Sequence, residues 1–135
     1  MFELKNVRYK SIVSIDELLI NKSEVTAVIG KSGGGKSTLL KLLNKMLSPS
    51  EGTIHYDGKA LRDVGSVTHR RHVLYLNQKP HIFEGTIKDN LIKGFLYQNK
   101  DVPGEETLKA MLSRVHLDLP LDKNAKTLSG GEAQR

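Results

Sequence analysis

The stretch Gly30-Lys31-Ser32-Gly33-Gly34-Gly35-Lys36-Ser37-Thr38 constrains this chain more than any other part of it. It fills every fixed position of G-x-x-x-x-G-K-[ST], the phosphate-binding loop. In front of it, Val25-Thr26-Ala27-Val28-Ile29 is rich in β-branched residues and predicts a short buried strand. Behind it, Leu39, Leu40, Leu42, Leu43, Met46 and Leu47 recur at helical spacing and predict a helix. The bland alternative is a glycine-rich turn from strand to helix. Both flanking elements, however, fall where a nucleotide site needs them.

The chemistry accounts for the spacing. Glycines let the backbone curl so that successive N–H groups point inward, making a nest for an anion. The following helix adds its positive N-terminal end, where orphan N–H groups can meet phosphates. Lys36 can reach the β- and γ-phosphates, and the Ser37 hydroxyl can ligate Mg²⁺. The expected ligand is therefore a nucleotide with its phosphate chain and Mg²⁺.

Composition narrows the setting. The 135 residues, 38% hydrophobic, suffice for one modest domain with its own core. A net charge of +6 suits anionic ligands, a membrane surface or nucleic acid, without choosing among them. With no cysteine there is no disulfide scaffold, which is compatible with the cytosol. No apolar run approaches the ~18–20 residues needed to span a bilayer, and Met1-Phe2-Glu3-Leu4-Lys5 does not have the layout of a signal peptide. The expectation is a soluble chain that reaches a membrane only through a partner.

In chain order, Phe2 to Tyr9 and Ile12 to Ile20 read as strands, followed by a polar turn at Asn21–Glu24. After the first helix, Ser48-Pro49-Ser50-Glu51-Gly52 is a break. Thr53-Ile54-His55-Tyr56 then runs into Asp57-Gly58, a hairpin turn signal. His69-Arg70-Arg71-His72 reads as a solvated basic surface rather than a metal cluster. Val73-Leu74-Tyr75-Leu76 predicts a second short apolar strand ending at Asn77-Gln78. Thr86 to Leu91 predicts a short helix, and Glu105 to Val115 a longer one with Leu108, Met111, Leu112 and Val115 on one face. His116 to Thr127, broken by Pro120, reads mostly as linker. There is no internal repeat and no low-complexity tract.

A second motif closes the chain. Leu128-Ser129-Gly130-Gly131-Glu132 contains S-x-x-E, a capping box that starts a helix. Taken alone it is only a helix start. Taken with the phosphate loop, it exposes another helix N-terminus to an anion, with no side chain at Gly130 or Gly131 to block approach.

With both motifs in hand, the chain resembles the nucleotide-binding domain of the ATP-binding-cassette family from Tyr9 to Arg135. Gly30 to Ser37 match the family's phosphate loop, and Leu128 to Glu132 match its signature L-S-G-G-[EQ]. Gln78 looks like the family's Q-loop glutamine, which contacts Mg²⁺ or the attacking water and senses the membrane partner. Tyr9 sits where the family places an aromatic that stacks on adenine; the alternative is a tyrosine that merely ends an edge strand. The segment Lys79 to Ile87 resembles the one that, in export-type members, lies near the coupling surface for the membrane subunit.

The resemblance implies an α/β P-loop fold of three layers, with an antiparallel β subdomain and a helical subdomain. Residues 1–79 would form the β subdomain and loop core, 80–128 the helical subdomain, and 129–135 the start of the signature helix. It implies the ATP-binding subunit of a membrane transporter, at the cytoplasmic face, working with a transmembrane permease and a second nucleotide-binding domain. Ser129, Gly130, Gly131 and Glu132 would meet, in trans, the ATP held at Lys36 of the partner domain. The family continues past its signature into an apolar strand, a catalytic Glu and a switch His, and none of these has a counterpart in this sequence. A partial core sheet, nucleotide binding without useful hydrolysis, and loss of neighbours for Val25–Ile29 are the corresponding expectations. A non-catalytic nucleotide-binding regulatory module and an ATPase acting on nucleic acid are the alternatives, the latter favoured only by charge.

Overall fold

Alternating apolar and polar residues fold the N-terminal part into an antiparallel hairpin, β1 (Phe2–Tyr9) and β2 (Val13–Ile20). The computed structural model describes residues 1–135. A second hairpin, β3 (Glu51–Tyr56) and β4 (Lys59–Ala60), turns at Asp57-Gly58 as the turn signal requires, and the sheet order is β2-β1-β3-β4. A bulge at Asn6, which has φ 51°, shifts the β1–β3 register between Lys5 and Arg8. The extra residue resets the alternation, so Leu4 and Val7 both point into the core with no exposure. Gly52 faces the bulge at φ 80°, and a Cβ there would stand 2.2 Å from the Asn6 carbonyl oxygen, so no other residue fits.

Helix α1 (Lys36–Leu43) lays Leu39, Leu42 and Leu43 on the sheet beside Leu4, Val7, Val13, Ile54 and Leu61. Each buried leucine contributes about 1.5–3 kcal/mol. The leucine spacing predicts a helix through Leu47, but α1 stops four residues sooner. Lys45 turns left-handed (φ 57°), and Met46 and Lys45 donate to the Lys41 and Leu42 carbonyls in a Schellman closure.

Helix α2 (Ser66–His72) falls where a solvated basic surface is expected. That reading fails at His69, which is 2% exposed. Its Nε2 is 2.7 Å from the Leu43 carbonyl oxygen at the end of α1, and its ring meets Tyr56 and Phe2 edge-on. The ring is a packing group with one satisfied polar atom. Arg70, Arg71 and His72 do face solvent.

Two expected strands are absent. Val25–Ile29 and Val73–Leu76 have no strand structure, and the sheet contains neither. Val25 is 101% exposed, Ile29 91%, and Leu74 and Leu76 are also well exposed. β-branched composition makes a strand only where another strand can take its N–H and C=O groups, and here β1–β4 pair among themselves.

The chain divides into two compact units, Met1–Tyr75 and Leu76–Arg135. The second is helical: α3 (Ile87–Tyr97), α4 (Glu105–Arg114) and α5 (Gly130–Gln134). Ile87, Leu108, Leu112, Leu117 and Leu121 form its core, with Met111 and Val115 packed alongside, so the apolar face expected of α4 is the one buried. Helix α3 runs to Tyr97, well beyond the Leu91 expected. Thr86 and Asp89 start it as a capping box. Residues 116–127 are more than linker, for Leu117, Leu121 and Ala125 are buried and a 3₁₀ turn spans Ala125–Thr127.

Candidate phosphate-binding site

The loop's geometry follows from its glycines. Gly33 and Gly35 adopt left-handed φ of 79° and 81°, and the Gly34 N–H closes a turn onto the Lys31 carbonyl at 3.1 Å. Gly35 is the N-cap of α1 and offers no side-chain cap. The first helical bond runs from the Leu39 N–H to the Gly35 carbonyl at 2.8 Å. The N–H groups of Lys36, Ser37 and Thr38 precede it and have no acceptor within the helix. No acidic residue stands in the first turn to offset the positive helix end.

Lys36 folds back over this opening. Its ammonium donates to the Gly30 carbonyl at 2.8 Å and the Lys31 carbonyl at 2.7 Å. An ammonium has three donors, so one remains for a ligand. Residues 30–34 and Ser37 are exposed, and Thr38 is half-buried. The arrangement fits a phosphate chain: free amides, a positive helix end and a charge held by carbonyls rather than neutralised by a carboxylate.

The corner between β1 and β2 closes on the end of the loop. A Cβ at Gly35 would lie 2.8 Å from the Ile12 carbonyl oxygen and 3.3 Å from Val13 Cγ2. Tyr9 begins that corner, its carbonyl accepting from the Ile12 N–H at 3.1 Å. Its ring borders the apolar core, and the Lys10 ammonium sits 5.5 Å from the ring centroid.

The second motif is built differently. Ser129 caps α5 with a reciprocal box: the Ser129 N–H donates to the Glu132 carboxylate at 2.7 Å, and the Glu132 N–H to the Ser129 hydroxyl at 3.3 Å. The Ser129 N–H, with its hydroxyl in support, holds the Glu132 carboxyl below its ordinary range. Open space surrounds the positions where Gly130 and Gly131 would carry a Cβ. Gln78 lies in an exposed bend at the start of the second unit rather than at the end of a strand.

Residues 14–135 match the model of the ABC transporter family. The chain belongs to that family. Among relatives, it is 38% identical to the lactococcin-A transport/processing ATP-binding protein of Lactococcus lactis subsp. lactis, over 93% of this chain and 19% of that protein. It is 34% identical to the probable iron export ATP-binding protein of Escherichia coli K12, over all of this chain and 62% of that one. The chain thus spans between about a fifth and three-fifths of these two relatives' length. Solved structures agree on the fold. A structure described as the ATP-binding subunit of an ABC transporter superposes with a TM-score of 0.79 at 27% identity, covering 98% of this chain and 57% of that one. The Clostridium perfringens protein cbiO1, part of the ABC transporter complex cbiONQ, gives 0.81 at 26% with the same coverage. Family and fold are those the two motifs imply, and the antiparallel sheet and helices here are part of that larger P-loop domain.

Three features of the sites escape sequence reading. The return of Lys36 onto two carbonyls and the closure of Ile12 on Gly35 carry no local signal. The third, the reciprocal cap that starts α3, has one: Thr86-x-x-Asp89 is itself a capping-box pattern.

Proposed function

We propose that this chain is the nucleotide-holding part of an ABC transporter's ATP-binding subunit. The observation that carries the reading is the uncapped start of α1, with Lys36 held above it by two carbonyls. The amides of Gly33 and Lys36–Thr38 and the Lys36 ammonium would hold the phosphates, and the Ser37 hydroxyl would hold Mg²⁺. Bound there, Mg²⁺ would spread the charge of the phosphate chain. Tyr9, at the corner that abuts Gly35, is the proposed base-stacking residue; an aromatic face supplies about 1–3 kcal/mol with little selectivity. Gln78 is proposed to position water or Mg²⁺ on the strength of the family match.

Ser129, Gly130, Gly131 and Glu132 are proposed to meet the nucleotide of a second domain. The Ser129 hydroxyl accepts from the Glu132 N–H, and Gly130 and Gly131 have open space beside them. The proposed partners are that second domain and a membrane permease, the latter through the segment after Gln78. No helix here is long and apolar enough to cross a membrane. The proposed subdomain division is at residues 79/80 and 128/129, and the proposed location is the cytoplasmic face of the membrane. The chain by itself is proposed to hold nucleotide rather than turn it over: the groups described at the loop, the amides and a Lys36 held by two carbonyls, bind phosphate and supply no general base.

Calorimetric titration with Mg-ATP tests the reading. Lys36→Ala should weaken binding about tenfold or more, the loss of one charge-assisted contact of about 1.5–3 kcal/mol. Equal affinity in wild type and variant would overturn it. Phosphate release at a rate typical of complete ATPases would overturn the proposal on turnover alone.

A further inference from the structure

In an unbroken strand successive side chains point to opposite faces, so the residue after Tyr9 would turn away from its ring. Lys10 does not. Its backbone is left-handed, φ 49°, where β1 ends and the turn to β2 begins. That reversal brings its ammonium back over the Tyr9 ring, 5.5 Å from the centroid. A cation in this position is attracted by the negative face of the ring. The Lys10 side chain is otherwise exposed, and no carboxylate pairs with it.

The place of this pair in the fold gives it a use. The same turn closes on the phosphate loop, since a Cβ at Gly35 would lie 2.8 Å from the Ile12 carbonyl oxygen. The Tyr9 ring is half-buried against the apolar core. Such a ring has little more than one face to give, and the ammonium stands over a face. A base that stacks there must first move Lys10 aside, and its gain is reduced by the contact it breaks. A phosphate chain entering at Lys36 breaks nothing at Tyr9.

We infer that Lys10 is a specificity-determining residue: by holding the ring face that a base would take, it makes the site select a polyphosphate chain with little regard to the base. This role rests on the proposed stacking at Tyr9.

Calorimetric titration of the whole chain with Mg-ATP and with Mg-tripolyphosphate tests it, at high ionic strength so that loss of a charge is screened. Lys10→Asn removes the ammonium and keeps a residue that tolerates left-handed backbone. It should raise the ratio of Mg-ATP to Mg-tripolyphosphate affinity about two- to fivefold, the change that an exposed cation–π contact corresponds to. Lys10→Arg keeps the cation and should leave the ratio at the wild-type value. In a Tyr9→Leu background, Lys10→Asn should not move the ratio, because there is no ring face to free. An unchanged or lower ratio in Lys10→Asn, or an equal rise in the Tyr9→Leu background, would overturn the assignment. Should Lys10→Asn not fold, NMR of the wild type decides. Lys10 side-chain protons over the ring are shifted upfield, and Mg-ATP must release that shift while Mg-tripolyphosphate leaves it. A shift that persists under Mg-ATP contradicts the competition. A wild type that binds neither ligand defeats the nucleotide site and this role with it, whereas binding of both at a fixed ratio defeats the role of Lys10 alone.

Discussion

Two helix N-termini in this chain carry phosphate-site motifs, and they solve the same problem in opposite ways. Helix α1 begins at a left-handed glycine with no side-chain cap, leaving its first amides without acceptors. Helix α5 begins at a serine and a glutamate that satisfy each other's backbone groups. One end is held open by a helix anchored through three buried leucines; the other is closed by its own residues on a helix that buries none. Unsatisfied amides cost free energy, so they persist where the rest of the element is well anchored. An open end is a site for a ligand in its own right. A closed end with open space at its two glycines suits a contact completed by a second body.

The largest effect should come from breaking the anchor. Leu42, 1% exposed, packs α1 against the sheet. Leu42→Ala should cost about 2–5 kcal/mol in denaturant unfolding, whereas Ala133→Gly in α5 should cost no more than about 1 kcal/mol. Next comes the geometry of the open end. Gly35→Ala puts a Cβ at a left-handed φ and within 2.8 Å of the Ile12 carbonyl oxygen. Strain of about 1–3 kcal/mol should appear as a roughly fivefold to hundredfold loss of Mg-ATP affinity in calorimetry.

Smaller still is the closed end. Ser129→Ala removes the acceptor for the Glu132 N–H and should destabilise α5 by about 1 kcal/mol, read as faster exchange at Glu132 and Ala133. Binding at the Lys36 loop should not change. The smallest and most specific effect is acidic. Glu132 is more acidic folded than unfolded, so its contribution to α5 is complete above the ordinary carboxylate range. It should fade as pH falls from there through the lowered folded value, with no parallel change at the amides of Lys36–Thr38. An NMR pH titration of backbone amides reads both ends together.

The same contrast explains what could be read from residues alone. The loop, the Ser129-x-x-Glu132 capping box and the Asp57-Gly58 hairpin are local: the residues that make each feature sit within a few positions of one another, and all of them form. Val25–Ile29 and Val73–Leu76 have strand composition, yet pairing is a property of what stands beside them, and no strand does. Helix α2 has the reverse history. Ser66-Val67-Thr68-His69 shows little apolar periodicity, and its order comes from His69 reaching the Leu43 carbonyl and packing on Tyr56. Within the site, the glycines announce the loop, whereas the carbonyls that hold Lys36 are backbone groups that any residue would supply.

The central claim is that the start of α1, and not that of α5, holds a triphosphate within a single chain. Backbone NMR with Mg-ATP added to dilute wild-type protein tests it most directly. The account predicts large shifts at Gly33 and Gly35–Thr38, small ones at Ser129–Glu132, and loss of the first set in Lys36→Ala. Shifts confined to Ser129–Glu132, or a loop set that survives Lys36→Ala unchanged, would contradict it.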